Sequence, residues 1–181
     1  MTAEDSLRAF VKEVFGDKAY FGLKAPKVSA EQMAESRKIC ANNLCGNYNT
    51  SWTCPPHTGD IDKCVQRVES YENAIVMYES FQVESMDMEH LGCKIGDMQD
   101  LCRKVLVKAK DAGLDVFVLC GGPCNYCEEC SVKSGIDCVN PEMSIPSVSG
   151  YGIKINDLLK EKEHEPVFTE NLVELYGLIL Y

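Results

Sequence analysis

The stretch Cys120-Gly-Gly-Pro-Cys-Asn-Tyr-Cys-Glu-Glu-Cys130, continued by Ser-Val-Lys-Ser-Gly-Ile-Asp-Cys138-Val-Asn-Pro141, constrains the chain more than any other. Cys124, Cys127 and Cys130 fall three residues apart, and Cys138 follows just ahead of Pro141. Gly121, Gly122 and Pro123 lead into the run, so it cannot be one straight helix. Thiolates at that spacing can wrap three corners of one metal centre, with Cys138 as a fourth ligand. The nearest pattern with a known mechanism is the bacterial ferredoxin run C-x2-C-x2-C-x3-C-P, which holds a [4Fe–4S] cubane. The last gap is longer here, so the match covers three ligands and a following proline. Zinc is the rival, although structural zinc sites more often use two separated C-x2-C knuckles. Plain thiols or disulfides are the third possibility, and disulfides need an oxidising compartment.

A second cysteine region, Cys40-Ala-Asn-Asn-Leu-Cys45-Gly-Asn-Tyr48-Asn-Thr-Ser-Trp52-Thr-Cys54-Pro-Pro-His57, is rich in Asn, Gly, Ser and Pro and reads as loop. Long loops inside a domain are usually functional or held by something. Cys40, Cys45 and Cys54 offer the holding, and the bland alternative is that they are small buried apolar residues. Cys64 can complete this set, but it sits with Ile61, Val65 and Val68 on the apolar face of a helix starting near Asp60, where core packing serves equally well. His57 can bind metal or act on substrate, or be a surface loop residue. Trp52 and Tyr48 read as cover for the loop. The roles of Cys93, Cys102 and Cys120 stay open, with Cys102 most simply a core residue.

The remainder reads as support. Leu7, Phe10, Val11 and Val14 mark an amphipathic opening helix, and Ser29 caps a helix running towards Cys40. The segment from Tyr20 to Val28 reads as irregular or as an edge strand. Strands are expected over 73–83, over 115–119 leading into Cys120, and at the alternating C-terminal end around 173–181. Helices are expected from about Asp97 to the stop at Gly113, and from Ile153 to about Lys162, with a loop over Glu84 to His90. This order predicts an α/β or α+β fold: a small mixed sheet with helices packed on one face and a ferredoxin-like, cysteine-rich metal-cluster insertion. The 181 residues are expected to form a single metal-binding domain, with a cysteine loop over 40–64 and a cluster-binding insertion over 120–146.

Charge and cysteine usage set the surroundings. A formal net charge of −10 argues against nucleic-acid or anionic-membrane partners, because phosphate binding is carried by Lys and Arg. A redox partner protein or a small-molecule substrate fits better. Without a basic n-region or a membrane-length apolar run, the expected location is the cytoplasm, where eleven cysteines are more readily ligands than disulfides. No G-x-G-x-x-G or Walker run points to a nucleotide, and no Ser-His-Asp or Cys-His signature points to hydrolysis.

Two signatures together resemble a known family. Cys45-x2-Tyr48 with Trp52-x-Cys54-Pro55-Pro56, and Gly122-x-Cys124-x2-Cys127-x2-Cys130 with Cys138-x2-Pro141, Pro146-Ser147 and Gly152-Ile153, look like the metal-binding family called domain of unknown function 2284. The resemblance spans roughly residues 35 to 165. It implies that both cysteine regions belong to one metalloprotein of a kind common in anaerobes. Val139 and Ile145 stand where the family carries basic residues, so an anion contact is not expected there.

Three functions follow from different classes. The first is an iron–sulfur protein passing electrons to or from a partner, with one or two [4Fe–4S] clusters: one on Cys124, Cys127, Cys130 and Cys138, and a second on Cys40, Cys45, Cys54 and Cys64. The second is an iron–sulfur enzyme whose Cys40/Cys45/Cys54 cluster keeps one metal open to a small substrate, assisted by His57, Tyr48, Glu128 or Glu129. The third is a zinc-stabilised binding module. The first needs no catalytic base, and the sequence offers no obvious one.

Overall fold

In a computed structural model, which describes residues 2–181, four strands form one sheet in the order β1-β2-β4-β3. They are β1 (Ala19–Lys24), β2 (Asn73–Gln82), β3 (Phe117–Cys120) and β4 (Leu172–Leu180). Every pairing is antiparallel, so the sheet is not mixed as expected. Val76 and Tyr78 of β2 face Leu178 and Tyr176 of β4, while Cys120 closes β3 opposite Gly177. The segment after Tyr20 does become an edge strand, with a register shift between Tyr20 and Leu23 where Gly22 takes a positive φ of 71°.

Helices cover both faces of the sheet rather than one. The reason is visible in the strands: Ala74-Ile-Val-Met77 in β2 and Leu178-Ile-Leu180 in β4 are apolar at successive positions, so each face carries buried side chains. Ile75, Met77, Val118 and Ile179 pack on α1 (Ala3–Phe15) and α4 (Met88–Asp111). Val76, Leu119, Leu178 and Leu180 share the other core with Met33 of α2 (Ala30–Ala41), Cys64 and Val68 of α3 (Ile61–Glu69), and Leu158 and Leu159 of α5 (Ile155–Lys160). Each large apolar side chain so buried contributes roughly 1.5–3 kcal/mol. Among the described residues, five helices on an antiparallel four-stranded sheet make a mixed α and β fold.

Capping residues start the helices. Ser29 Oγ accepts from Gln32 N at 3.0 Å to open α2, and Asp60 Oδ1 accepts from Lys63 N at 3.1 Å to open α3. Asp87 does the same for α4, which begins at Met88, well before the expected start near Asp97. Cys93 therefore lies within α4. Among the described residues no helix is long and apolar enough to cross a membrane.

The cysteine-rich run leaves the end of β3 and returns beside it. Cys120 N donates to Pro146 O and Val148 N donates to Cys120 O, both at 3.0 Å, forming a short parallel bridge between Cys120 and Ser147. Between these ends, residues 121–146 hold no strand, only short 3-10 turns at Ser131–Ser134 and Pro141–Met143.

Candidate metal centre

Cys124, Cys127, Cys130 and Cys138 line one small cavity together with Trp52, Thr53, Tyr126 and Asn140. Its volume is about 20 Å³, close to that of a single water site. The local sequence explains the convergence. At Gly122 φ is +72°, and a Cβ there would meet Ile95 Cγ2 of α4 at 2.4 Å, so only glycine lets the chain turn this close to the helix. The Nε2 of Gln99, a fully buried residue, donates to the Gly121 and Gly122 carbonyls at 3.3 and 3.4 Å. After Cys130, the turn at Ser131–Ser134 ends on left-handed Gly135, which sends the chain back towards Cys138.

Nitrogen donors stand against the sulfurs. Asn140 Nδ2 lies 3.3 Å from Cys127 Sγ, and Arg103 Nη2 lies 3.6 Å from Cys124 Sγ. The Arg103 side chain is only 8% exposed, and it ties the run to α4. It donates to Met143 O at 3.0 Å and Asn125 Oδ1 at 3.0 Å, and pairs with Asp100 at 2.8 Å. Asn125 in turn donates to Gly96 O at 3.1 Å. Burial raises the Cys138 thiol above its usual range, and the neighbouring thiols of Cys124, Cys130 and Cys127 raise it further.

Cys40, Cys45 and Cys54 line a second and larger cavity, of about 180 Å³, with Asn47, Tyr48, Pro55, Ile95, Gly122, Ser147 and Ser149. Cys40 comes from the last turn of α2, and Cys45 from the turn after it, where Asn43 Oδ1 accepts from Tyr48 N at 2.9 Å. Cys45 is exposed and Cys54 buried, so the cavity runs from the surface inward. Burial pushes the Cys54 thiol up to about 12, with Cys45, Cys40 and, more weakly, Cys124 adding to the effect.

Thr53 joins the two cavities. Its Oγ1 accepts from Cys124 N at 2.8 Å, and its carbonyl accepts from Ser147 N at 3.1 Å. Thr53 thus lines the four-thiol cavity while its neighbour Cys54 lines the three-thiol one. Trp52 ties the same crossing to the later cysteine run by donating through Nε1 to Ile136 O at 3.0 Å.

The other sequence candidates lie apart. Cys64 lines neither cavity; it is buried in the core, its thiol donating to Thr58 O at 3.3 Å and accepting from Arg37 Nη2 at 3.4 Å. Cys93 is exposed on α4, and Cys102 of α4 and Cys120 at the end of β3 are fully buried. His57 bonds Asn49 Oδ1 at 2.7 Å and stands edge-on to Trp52. Glu128 and Glu129 are exposed, the latter paired with Lys133. Val139 is exposed, whereas Ile145 is fully buried in the core. Among the described residues no three or more His, Cys, Asp or Glu are grouped as a ready site for a metal ion.

Sequence reasoning passed over Gln99, Arg103 and Thr53. The first two carried a signal: spaced i, i+4 on α4, they form a buried polar edge beside the apolar stripe of Met98, Cys102, Val105 and Ala109. Thr53 carried none, because its partner Cys124 is distant in sequence.

A mixed α and β chain that gathers seven of its eleven cysteines onto two adjoining cavities is of the metal-binding, cysteine-rich class. The chain belongs to the family described as Predicted metal-binding protein (DUF2284), which matches residues 23–181 and so bears out the family resemblance. No curated protein and no solved structure matches it.

Proposed function

We propose that the protein is an iron–sulfur electron-transfer protein with two adjacent centres, one held by Cys124, Cys127, Cys130 and Cys138 and the other by Cys40, Cys45 and Cys54. The observation that carries this reading is the lining of one cavity by the three ferredoxin-spaced cysteines together with Cys138, next to a second thiol-lined cavity. The donor set fits: soft thiolates select iron–sulfur clusters and zinc. A bound [4Fe–4S] group would supply one-electron chemistry. The chain's own residues then do the rest. The four thiols would hold the group, and Trp52 would cover one side of it. Arg103 and Asn140 direct N–H groups at sulfur and offset negative charge there. Thr53 keeps the two centres side by side.

The surface supports a protein partner. Tyr126, Ile136 and Val139, which are 45%, 58% and 61% exposed, lie in the segment that carries the four thiols. Half-exposed thiolate centres suit a reducing, oxygen-poor cytoplasm. A second reading is favoured by one observation: a void of about 20 Å³ suits a single tetrahedral zinc on four thiolates. Iron, acid-labile sulfide and zinc analysis of protein purified without oxygen, with a visible spectrum, separates the two. About eight irons and eight sulfides per chain in a brown protein is the expected result. Colourless protein with one or two zincs overturns the iron–sulfur reading.

A further inference from the structure

We infer that the Cys40/Cys45/Cys54 centre keeps one metal position free of protein thiol and takes a small monoanionic sulfur donor there, hydrosulfide or a low-molecular-weight thiolate. The inference rests on the iron–sulfur reading and deepens it. Among the described residues, the cavity is lined by three thiols and by no fourth cysteine, histidine or carboxylate. The sequence's own candidate for the fourth place, Cys64, is engaged elsewhere, bonded to Thr58 O and Arg37. The neighbouring cavity, by contrast, has its full set of four thiols.

The chemistry of the lining selects the ligand. Pro55, Ile95 and Gly122 give the cavity apolar walls, which disfavour a strongly hydrated, multiply charged oxyanion. Ser147 Oγ and Ser149 Oγ lie 2.7 Å apart, so one hydroxyl donates to the other. That leaves one O–H proton of the pair to donate to an incoming anion. Tyr48 is a further polar group on the wall. A sulfur donor matches the softness of the centre and needs little desolvation. At about 180 Å³ the cavity exceeds its neighbour several-fold, and exposed Cys45 marks its way in. Binding there would be ligand addition without oxidation or reduction: the donor would lose its proton to solvent and bind as RS⁻ or HS⁻ at a position that no protein thiol fills.

The test is a titration of anaerobically purified full-length protein with sodium sulfide and, separately, with 2-mercaptoethanol, followed by electron paramagnetic resonance of the reduced protein and by iron content. The expected result is a saturable change in the signal of one centre with iron held at about eight per chain. Ser149→Cys, which offers a fourth thiol to the same cavity, should keep the iron and reduce the response at least tenfold. About eight irons with no spectral change under either probe overturns the inference and leaves the electron-transfer reading standing. Zinc in place of iron overturns both.

Discussion

The two cysteine regions solve different problems. Cys124, Cys127, Cys130 and Cys138 come from one short stretch, close around about 20 Å³, and receive N–H donors from Arg103 and Asn140. Cys40, Cys45 and Cys54 are gathered from a helix end and a long loop around about 180 Å³, and their wall includes serines and a tyrosine. A closed thiol set with charge-compensating donors suits a group whose ligands never change. An open set with hydroxyls suits one that meets something from outside. Closeness in sequence goes with closure in space, because each long-range element needs its own contacts to hold it in place.

The comparison is broken most directly at a thiol. Cys127→Ala should remove the closed centre, about half of the iron, while leaving the open one, and Cys45→Ala should do the reverse. Loss of all iron in either variant would mean that the centres are not separable. Arg103→Met comes next. It leaves the Met143 carbonyl and Asn125 without their donor, costing about 2–3 kcal/mol in denaturant unfolding. It should also lower the reduction potential of the closed centre alone, an effect Arg103→Lys should partly restore; equal shifts at both centres would contradict the assignment. Thr53→Val should cost about 1 kcal/mol by orphaning the Cys124 amide. Because Thr53 lines the four-thiol cavity and precedes Cys54 of the other in the chain, small spectral changes are expected at both centres.

The smallest effect belongs outside the lining of either cavity, where Tyr20, His164, Glu174 and Tyr176 form a half-buried hydrogen-bonded group on the sheet. Burial and the Glu174 carboxylate raise the Tyr176 phenol well above its ordinary 10.0, and burial raises that of Tyr20. A raised phenol keeps its proton longer in the folded chain than in the unfolded one. Its contribution is therefore whole below about pH 10 and is lost as pH rises above that value. Tyr176→Phe should flatten the alkaline limb of a stability–pH curve and leave the iron content of both centres unchanged.

Much of this arrangement was legible beforehand. The spacing of Cys124, Cys127 and Cys130 is a local property, and so are the cap at Ser29 and the helix start near Asp60, so reading along the chain found them. That Cys40, Cys45 and Cys54 share one loop was legible from the sequence, whereas the placing of Cys64 apart from them was not. The N-terminal half of α4 was not, because Gly92 and Gly96 weaken a helical pattern. Its compensation is tertiary: Asn125 docks onto Gly96, where a Cβ would stand 3.4 Å from the amide nitrogen. The covering of both sheet faces was missed for a related reason. An alternating reading of β4 looked for one apolar side, while Leu178 and Ile179 in fact fill two cores.

The bridge between Cys120 and Ser147 bears on how metal comes and goes. Its backbone hydrogen bonds join the two ends of the cysteine-rich run without any metal, so most of the entropy of loop closure is already lost when the fold forms. Metal binding then has only the interior of the run left to order, and its removal should loosen residues 121–146 while the sheet and its helices stay protected from hydrogen exchange. Exchange of the centre becomes a local fluctuation of a closed loop, on a timescale set apart from that of global unfolding.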